Sequence, residues 1–341
     1  MNITALDLFA GCGGLTQGLK QADVDVVAAI EINKNAARAY KMNHPETLLI
    51  EEDIRNIAAK DILSFVSGKK INLVAGCPPC QGFSNIRTRN KGNIIEDERN
   101  TLILEFLRIV EGIKPIFIML ENVPGIINYH YFELTVNRLS ELGYNLDYRV
   151  INVEDYGVPQ RRKRLVLLGS LIGEVSIPSN TIYKRTTVRD YLYNLTPIEK
   201  SRDPLHQIFS KHSEKVKKII SLIPKDGGSR KDLPEEYWLE CHKKKGIGFS
   251  DIYGRLSWDK VSSTITGGCL NPSKGRFLHP MEDRAITARE AALLQTFPID
   301  YKFPTDISKG ELAQMIGNSF PPKFSEIQAS YLKSLLTIES H

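Results

Sequence analysis

Ile3-Thr4-Ala5-Leu6-Asp7-Leu8-Phe9-Ala10-Gly11-Cys12-Gly13-Gly14 opens the chain. An apolar run ending in glycines reads as a buried strand entering a tight turn, and a helical pattern follows from about Leu15. Outward from this unit the alternation repeats. Val24–Ile30 reads as a strand and Asn33–Asn43 as a helix. Ile71–Gly76, Ile116–Leu120 and Leu165–Gly169 read as further strands, with helices over Thr101–Ile113 and Phe132–Leu142. Strands alternating with helices imply an α/β fold with a doubly wound, mostly parallel sheet. Ligands of such sheets bind at the carboxyl ends of the strands. After Gly169 the pattern breaks. Residues 171–283 are polar and turn-rich, with lysine clusters at Lys217-Lys218 and Lys243-Lys244-Lys245, and read as a second, smaller, irregular domain. Helical periodicity returns at Thr287–Phe297, at Glu311–Gly317 and after Pro321-Pro322. The expected organisation is therefore 1–170, 171–283, and a segment 284–341 returning to the first domain.

Hydrophobic residues make up 42% and charged residues 25% of 341, as in a soluble globular protein with a full core. No apolar run approaches the roughly 18 residues of a membrane span, and MNITALDLFAG lacks the basic and apolar regions of an export signal. The five scattered cysteines (Cys12, Cys77, Cys80, Cys241, Cys269) read as reduced thiols, so a cytoplasmic location is expected. The net charge of +5 is confined to 171–283, where 19 basic residues face 14 acidic ones. That imbalance suits a polyanion partner or a solvated lysine-rich surface.

The glycine turn is not the dinucleotide pattern GxGxxG, because Gly14 follows Gly13 directly and position 16 is Thr. Asp7-x-x-x-Gly11-x-Gly13 suits a smaller ligand without a pyrophosphate, which argues against a nicotinamide oxidoreductase. Glu31 closes the second strand, where a carboxylate can accept both hydroxyls of a ribose. Asp53 stands where a further strand would end and can accept from an adenine amino group.

Gly76-Cys77-Pro78-Pro79-Cys80-Gln81-Gly82-Phe83-Ser84 follows another strand. Two prolines stiffen this turn. Cys77-x-x-Cys80 is open to three readings: a redox pair, half of a zinc site, or a turn presenting a nucleophile. No second CxxC or HxxxH completes a metal site, so no metal is expected. Residues 85–99, with Arg87, Arg89 and Lys91, read as a polar lid able to touch phosphates, or as a surface loop. Ile116–Leu120 runs into Glu121-Asn122-Val123-Pro124-Gly125, placing a partly desolvated glutamate at a strand end. In Gln160-Arg161-Arg162-Lys163-Arg164, alternation sends Arg162 and Arg164 to one side of an extended segment.

DLFAGCGG, GCPPCQGFS, ENVPG, QRRKR, RAITAREAALLQTFP and IGNSFP occur in this order. Together they resemble the motifs of cytosine-5 DNA methyltransferases of the bacterial modification type, over about 1–170 and 284–325. The resemblance implies a Rossmann-like methyltransferase sheet, S-adenosyl-L-methionine as cofactor, and base flipping in duplex DNA. It implies that 171–283 recognises the target. It makes Cys80 the nucleophile and sets Glu121 against N3 and the amino group of the target cytosine. Arg162 falls near its O2, with Arg164 beside it. Phe9 stacks on the cofactor adenine, Glu31 holds the ribose and Asp53 the adenine edge. Asp7, Gly11, Cys12, Gly13, Gly14, Ile32, Ile54 and Pro79 complete that pocket, and Asn318 and Ser319 close over it. Ser84, Arg87, Arg89 and Thr264 are expected DNA contacts. Cys77 and Cys12 depart from the family pattern without touching an essential role. A monomer is expected, in a restriction-modification system whose endonuclease forms no stable complex with it. A tRNA cytosine-5 methyltransferase and a non-catalytic DNA-binding module on the same fold are the alternatives; the long recognition segment and Ser84 favour DNA.

Overall fold

In the computed structural model the opening apolar run becomes β1 (Thr4–Leu8), whose Ala5, Leu6, Asp7 and Leu8 are buried. The other strands are β2 (Asp25–Ile30), β3 (Leu48–Ile50), β4 (Leu73–Gly76), β5 (Phe117–Asn122), β6 (Asn145–Asn152) and β7 (Lys163–Ser170). The structure describes residues 3–79, 98–179, 185–238 and 251–338. Among these, the strands form one seven-stranded sheet in the order β3-β2-β1-β4-β5-β7-β6. Pairings from β3 to β5 are parallel, and β7 runs antiparallel to both β5 and β6. The strand order reverses between β1 and β4, which opens a crevice at their carboxyl ends.

Helices α1 (Gly14–Gln21), α2 (Lys34–Asn43), α3 (Ala59–Phe65), α4 (Leu102–Ile113) and α5 (His130–Glu141) belong to the same unit as the sheet. Inner strand residues such as Leu6, Val74, Ile118 and Leu167 join Phe106, Ile109 and Val110 of α4 in one buried core. Each such side chain contributes about 1.5–3 kcal/mol by leaving water.

The described residues fall into two compact units. The first comprises those up to 156, those of 163–179, and those from 320 onward; the second comprises 157–162 and the described residues of 185–319. The expected segment 284–341 is thus divided at 319/320. The reason lies in long-range polar contacts of the second unit. Helices α6 (Val188–Leu192), α7 (Glu214–Leu222), α8 (Ala288–Leu294) and α9 (Lys309–Asn318) lie there. Arg289 pairs with Asp203 and the Thr287 hydroxyl lies 2.9 Å from His206 Nδ1, tying α8 to its own unit. The final helix, α10 (Pro322–Ile338), belongs to the first unit and packs on α1. There Gly18 permits close approach: a Cβ would lie 2.2 Å from the Pro322 carbonyl oxygen.

The second unit has little regular ladder, so its carbonyls need other donors. Fully buried Arg255 supplies them, donating to the carbonyls of Ile220 (2.8 Å), Ile223 (3.0 Å) and His279 (3.0 Å). Its apolar neighbours are Ile219, Ile220, Ile223, Leu233, Tyr253 and Leu278. Among the described residues no helix is long and apolar enough to cross a membrane.

Candidate active site

The turn after β1 combines left-handed residues at Phe9 (φ 62°), Gly11 (φ 57°) and Gly13 (φ 91°). A phenylalanine held there is strained by about 1–2 kcal/mol, a cost the surrounding contacts must offset. Those contacts come from β2. Ala10 N donates to the Ile30 carbonyl (3.0 Å), and Gly11 N donates to Glu31 Oε2 (2.8 Å). Glu31 Oε1 accepts from Asn33 N (2.6 Å), the residue that caps α2. Burial raises the Glu31 pKa, against the pull of the Asn33, Gly11 and Ile32 amides. A carboxylate oxygen keeps a second lone pair, so each can still accept a ligand hydroxyl. Glu31→Ala is expected to weaken adenosyl-cofactor affinity about 10- to 100-fold, as for loss of charge-assisted hydrogen bonds. Calorimetric titration measures this; unchanged affinity would remove Glu31 from the pocket.

Asp7 is 1% exposed. Its Oδ2 accepts from the Thr16 hydroxyl (2.6 Å), which also lies 2.9 Å from the Tyr40 hydroxyl. Its buried Oδ1 has no hydrogen-bond partner. Burial, chiefly, and the Glu31 charge push the Asp7 carboxyl up to about 7, against the Thr16 hydrogen bond. The folded chain therefore binds a proton that the unfolded chain, with the usual 3.8, has released. The stability from protonated Asp7 is complete below about 4 and is lost as pH rises through about 7. His44, pushed down to about 4 by burial first and Lys20 second, acts oppositely, losing stability as pH falls below the usual 6.5. The two offset each other, so a variant must separate them. Denaturant melts should show wild type losing stability relative to Asp7→Asn between pH 4 and 7. A constant difference would contradict the burial of a titrating Asp7.

At the ends of β4 and β5 the register pairs Gly76 with Leu120, so Cys77 and Glu121 stand side by side. Glu121 is 8% exposed, and Arg164 Nε lies 2.6 Å from its Oε1. Asn122 Nδ2 donates to the Pro78 carbonyl (3.0 Å), and its Oδ1 accepts from Val123 N (2.8 Å). Asn122 thereby ties the proline turn to β5, a role the sequence reading missed although the Glu-Asn-Val motif contained it. Burial first, then the Glu121 and Asp7 charges and the Glu121 hydrogen bond, push the Cys77 thiol well above its usual range.

Other expected site residues are distributed as follows. Cys80, Ser84, Arg87 and Arg89 lie outside the described residues. Pro79 and Ile32 are exposed, Cys12 is buried, and Gly14 begins α1. The Ile54 side chain belongs to the core, and its carbonyl accepts from Arg108 Nη2 (2.8 Å). Asp53 caps the turn Ile54–Asn56 and pairs with Arg55, whose Nη2 lies 2.6 Å from Oδ2. That hydrogen bond lowers the Asp53 pKa, so an adenine amino group would share oxygens already engaged. The two arginines of the basic cluster differ in task. Arg164 is the guanidinium beside Glu121. Arg162 lies in the second unit and donates to the carbonyls of Ile265 (3.0 Å), Gly317 (2.9 Å) and Ser319 (3.3 Å). Thr264 donates its hydroxyl to the Arg161 carbonyl (2.6 Å). Asn318 and Ser319 end α9, also in the second unit.

Comparison with known proteins agrees over the chain's length. The family model described as C-5 cytosine-specific DNA methylase matches residues 3–334. The Type II methylase M.HgiDII of Herpetosiphon aurantiacus is 34% identical, over 97% of this chain and 95% of its own. The Type II methyltransferase M1.HphI of Haemophilus parahaemolyticus is 30% identical, over 99% and 89%. Among solved structures, a prophage-encoded DNA modification methyltransferase of E. coli superposes with a TM-score of 0.77 at 27% identity, covering 98% of this chain and 100% of that one.

Proposed function

Because the chain belongs to the C-5 cytosine-specific DNA methylase family, with Type II modification methylases among its relatives, we propose how its residues perform cytosine-5 methylation. S-adenosyl-L-methionine supplies an electrophilic methyl group. Its cationic sulfonium and ammonium suit a crevice beside the Glu31 carboxylate, and the buried Asp7 Oδ1, without a hydrogen-bond partner of its own, is a polar atom left for a ligand. Phe9, Gly11, Gly13 and Glu31 hold the adenosyl part.

Carbon 5 of cytosine is a poor nucleophile. Addition of the Cys80 thiolate to carbon 6 breaks the ring's conjugation and gives carbon 5 enamine character. Charge then develops at N3 and O2. Protonated Glu121 donates to N3 and accepts from the amino group. The O2 contact, assigned from sequence to Arg162, passes to Arg164, because Arg164 already accompanies Glu121. Both groups act more strongly on the addition state than on free cytosine, which is the condition for catalysis. Loss of the carbon 5 proton then expels Cys80. A paired base is unreachable, so the target is flipped out, at a cost of a few kcal/mol. Contacts of Arg87, Arg89, Ser84 and Thr264 with phosphates, and of the second unit with the target sequence, offset that cost. The enzyme works as a monomer in the cytoplasm, beside a cognate endonuclease.

The observation that carries this reading is the Glu121–Arg164 pair at the end of β5, next to the turn that Asn122 ties down. Incubating the protein with labelled cofactor and either duplex DNA or tRNA tests it. Label in DNA is expected; label in tRNA alone would overturn the substrate assignment.

A further inference from the structure

We propose that Cys77 is a positioning residue for Glu121, its thiol donating to the carboxylate that Arg164 also holds. The role rests on the reading of Glu121 as the group that meets the target ring. Three observations carry it. First, β4 and β5 are parallel and in register through Gly76 and Leu120, so the next residues, Cys77 and Glu121, present side chains to the same face. Second, Cys77 is anchored at its own backbone, with its N donating to the Leu8 carbonyl of β1 (3.3 Å). Third, the Glu121 side chain lies close enough to act on the Cys77 thiol, beside the Arg164 guanidinium that Glu121 meets at 2.6 Å. The charged groups around the thiol are Asp7 of β1, Glu121 of β5 and Arg164 of β7. Burial first, then the acidic Glu121 and Asp7 against the Arg164 guanidinium, keeps the sulfur protonated, so it serves as a donor and not as a second nucleophile.

A carboxylate held only by Arg164 can rotate about its last bond. A second donor fixes the plane of the group, and the orientation of both oxygens decides whether N3 and the amino group are met together. A thiol suits this task as a weak, neutral donor that adds no charge to the site. The departure from the family pattern at Cys77 therefore touches an essential group, contrary to its sequence-based assignment.

The test compares Cys77→Ala and Cys77→Ser with wild type, in the full chain on duplex DNA. Cys77→Ala is expected to lower kcat about 3- to 10-fold, the value of one modest hydrogen bond. KM for the cofactor should stay unchanged, and Cys77→Ser, which restores a donor, should recover most of the loss. A fall in both variants alike, or a change confined to KM, overturns the proposal. The infrared S–H stretch, isolated as wild type minus Cys77→Ser, is read without turnover. It should lie at the position of a bonded thiol and move to that of a free thiol in Glu121→Ala. A free-thiol band in wild type overturns the proposal even if Cys77→Ala fails to fold. A wild type that leaves DNA unlabelled instead overturns the functional reading.

Discussion

Cys80→Ser is expected to abolish methyl transfer, by about four orders of magnitude or more, as when a covalent nucleophile is removed. A serine hydroxyl is not ionised near neutral pH, and no general base replaces the thiolate's intrinsic reactivity. Cofactor binding should survive, because Asp7, Phe9 and Glu31 stand on β1 and β2 and the turns after them. Cys80 lies outside the described residues; of the chain before it, β4 ends at Gly76, and Asn122 holds the Pro78 carbonyl. Single-turnover assays with labelled cofactor, together with calorimetry on the same variant, separate the two effects. DNA with 5-fluorocytosine at the target should trap wild type covalently, since fluorine cannot leave as a proton does, and should not trap Cys80→Ser. An active serine variant would contradict the assignment.

Glu121 substitution carries the second large effect. Glu121→Gln keeps shape but cannot share a proton with N3, so kcat should fall about 10²- to 10⁴-fold. Cofactor affinity should change little. The partner variant behaves differently. Arg164→Ala leaves a buried carboxylate without its guanidinium, which should cost about 3–5 kcal/mol of stability in addition to activity. Denaturant melts beside initial rates distinguish them: Glu121→Gln mainly a catalytic loss, Arg164→Ala both. A Glu121→Gln variant with near wild-type kcat would show that the ring is steadied by other groups.

Much of this architecture is legible in the sequence because local signals and burial agree. The run Ile3–Phe9, its glycines and the pattern after Leu15 yield strand, turn and helix within a residue or two. Where they disagree, the reading fails. β6 (Asn145–Asn152) is an edge strand with Asn145, Arg149 and Val150 exposed, so it offers no apolar run. β3 has only three residues, none fully buried. The division at 319/320 depends on contacts such as Arg289 with Asp203, 86 residues apart, which no local pattern announces. The site divides in the same way. Asp7, Glu31 and Glu121 stand at or next to strand ends, where the sequence pattern puts them. Arg164 meets Glu121 across neighbouring strands of one unit, whereas alternation alone gives Arg162 and Arg164 one face. Cys77 and Asn122 act across neighbouring strands, so their partners emerge only with the register.

Whether Cys80 drives cytosine-5 methylation is decided by bisulfite sequencing of DNA from a host that lacks its own cytosine methylation and expresses this chain. Protected cytosines are expected at one short sequence throughout the genome, and none when the Cys80→Ser variant is expressed. Complete conversion in the presence of folded wild-type protein, or equal protection with the serine variant, would contradict that role.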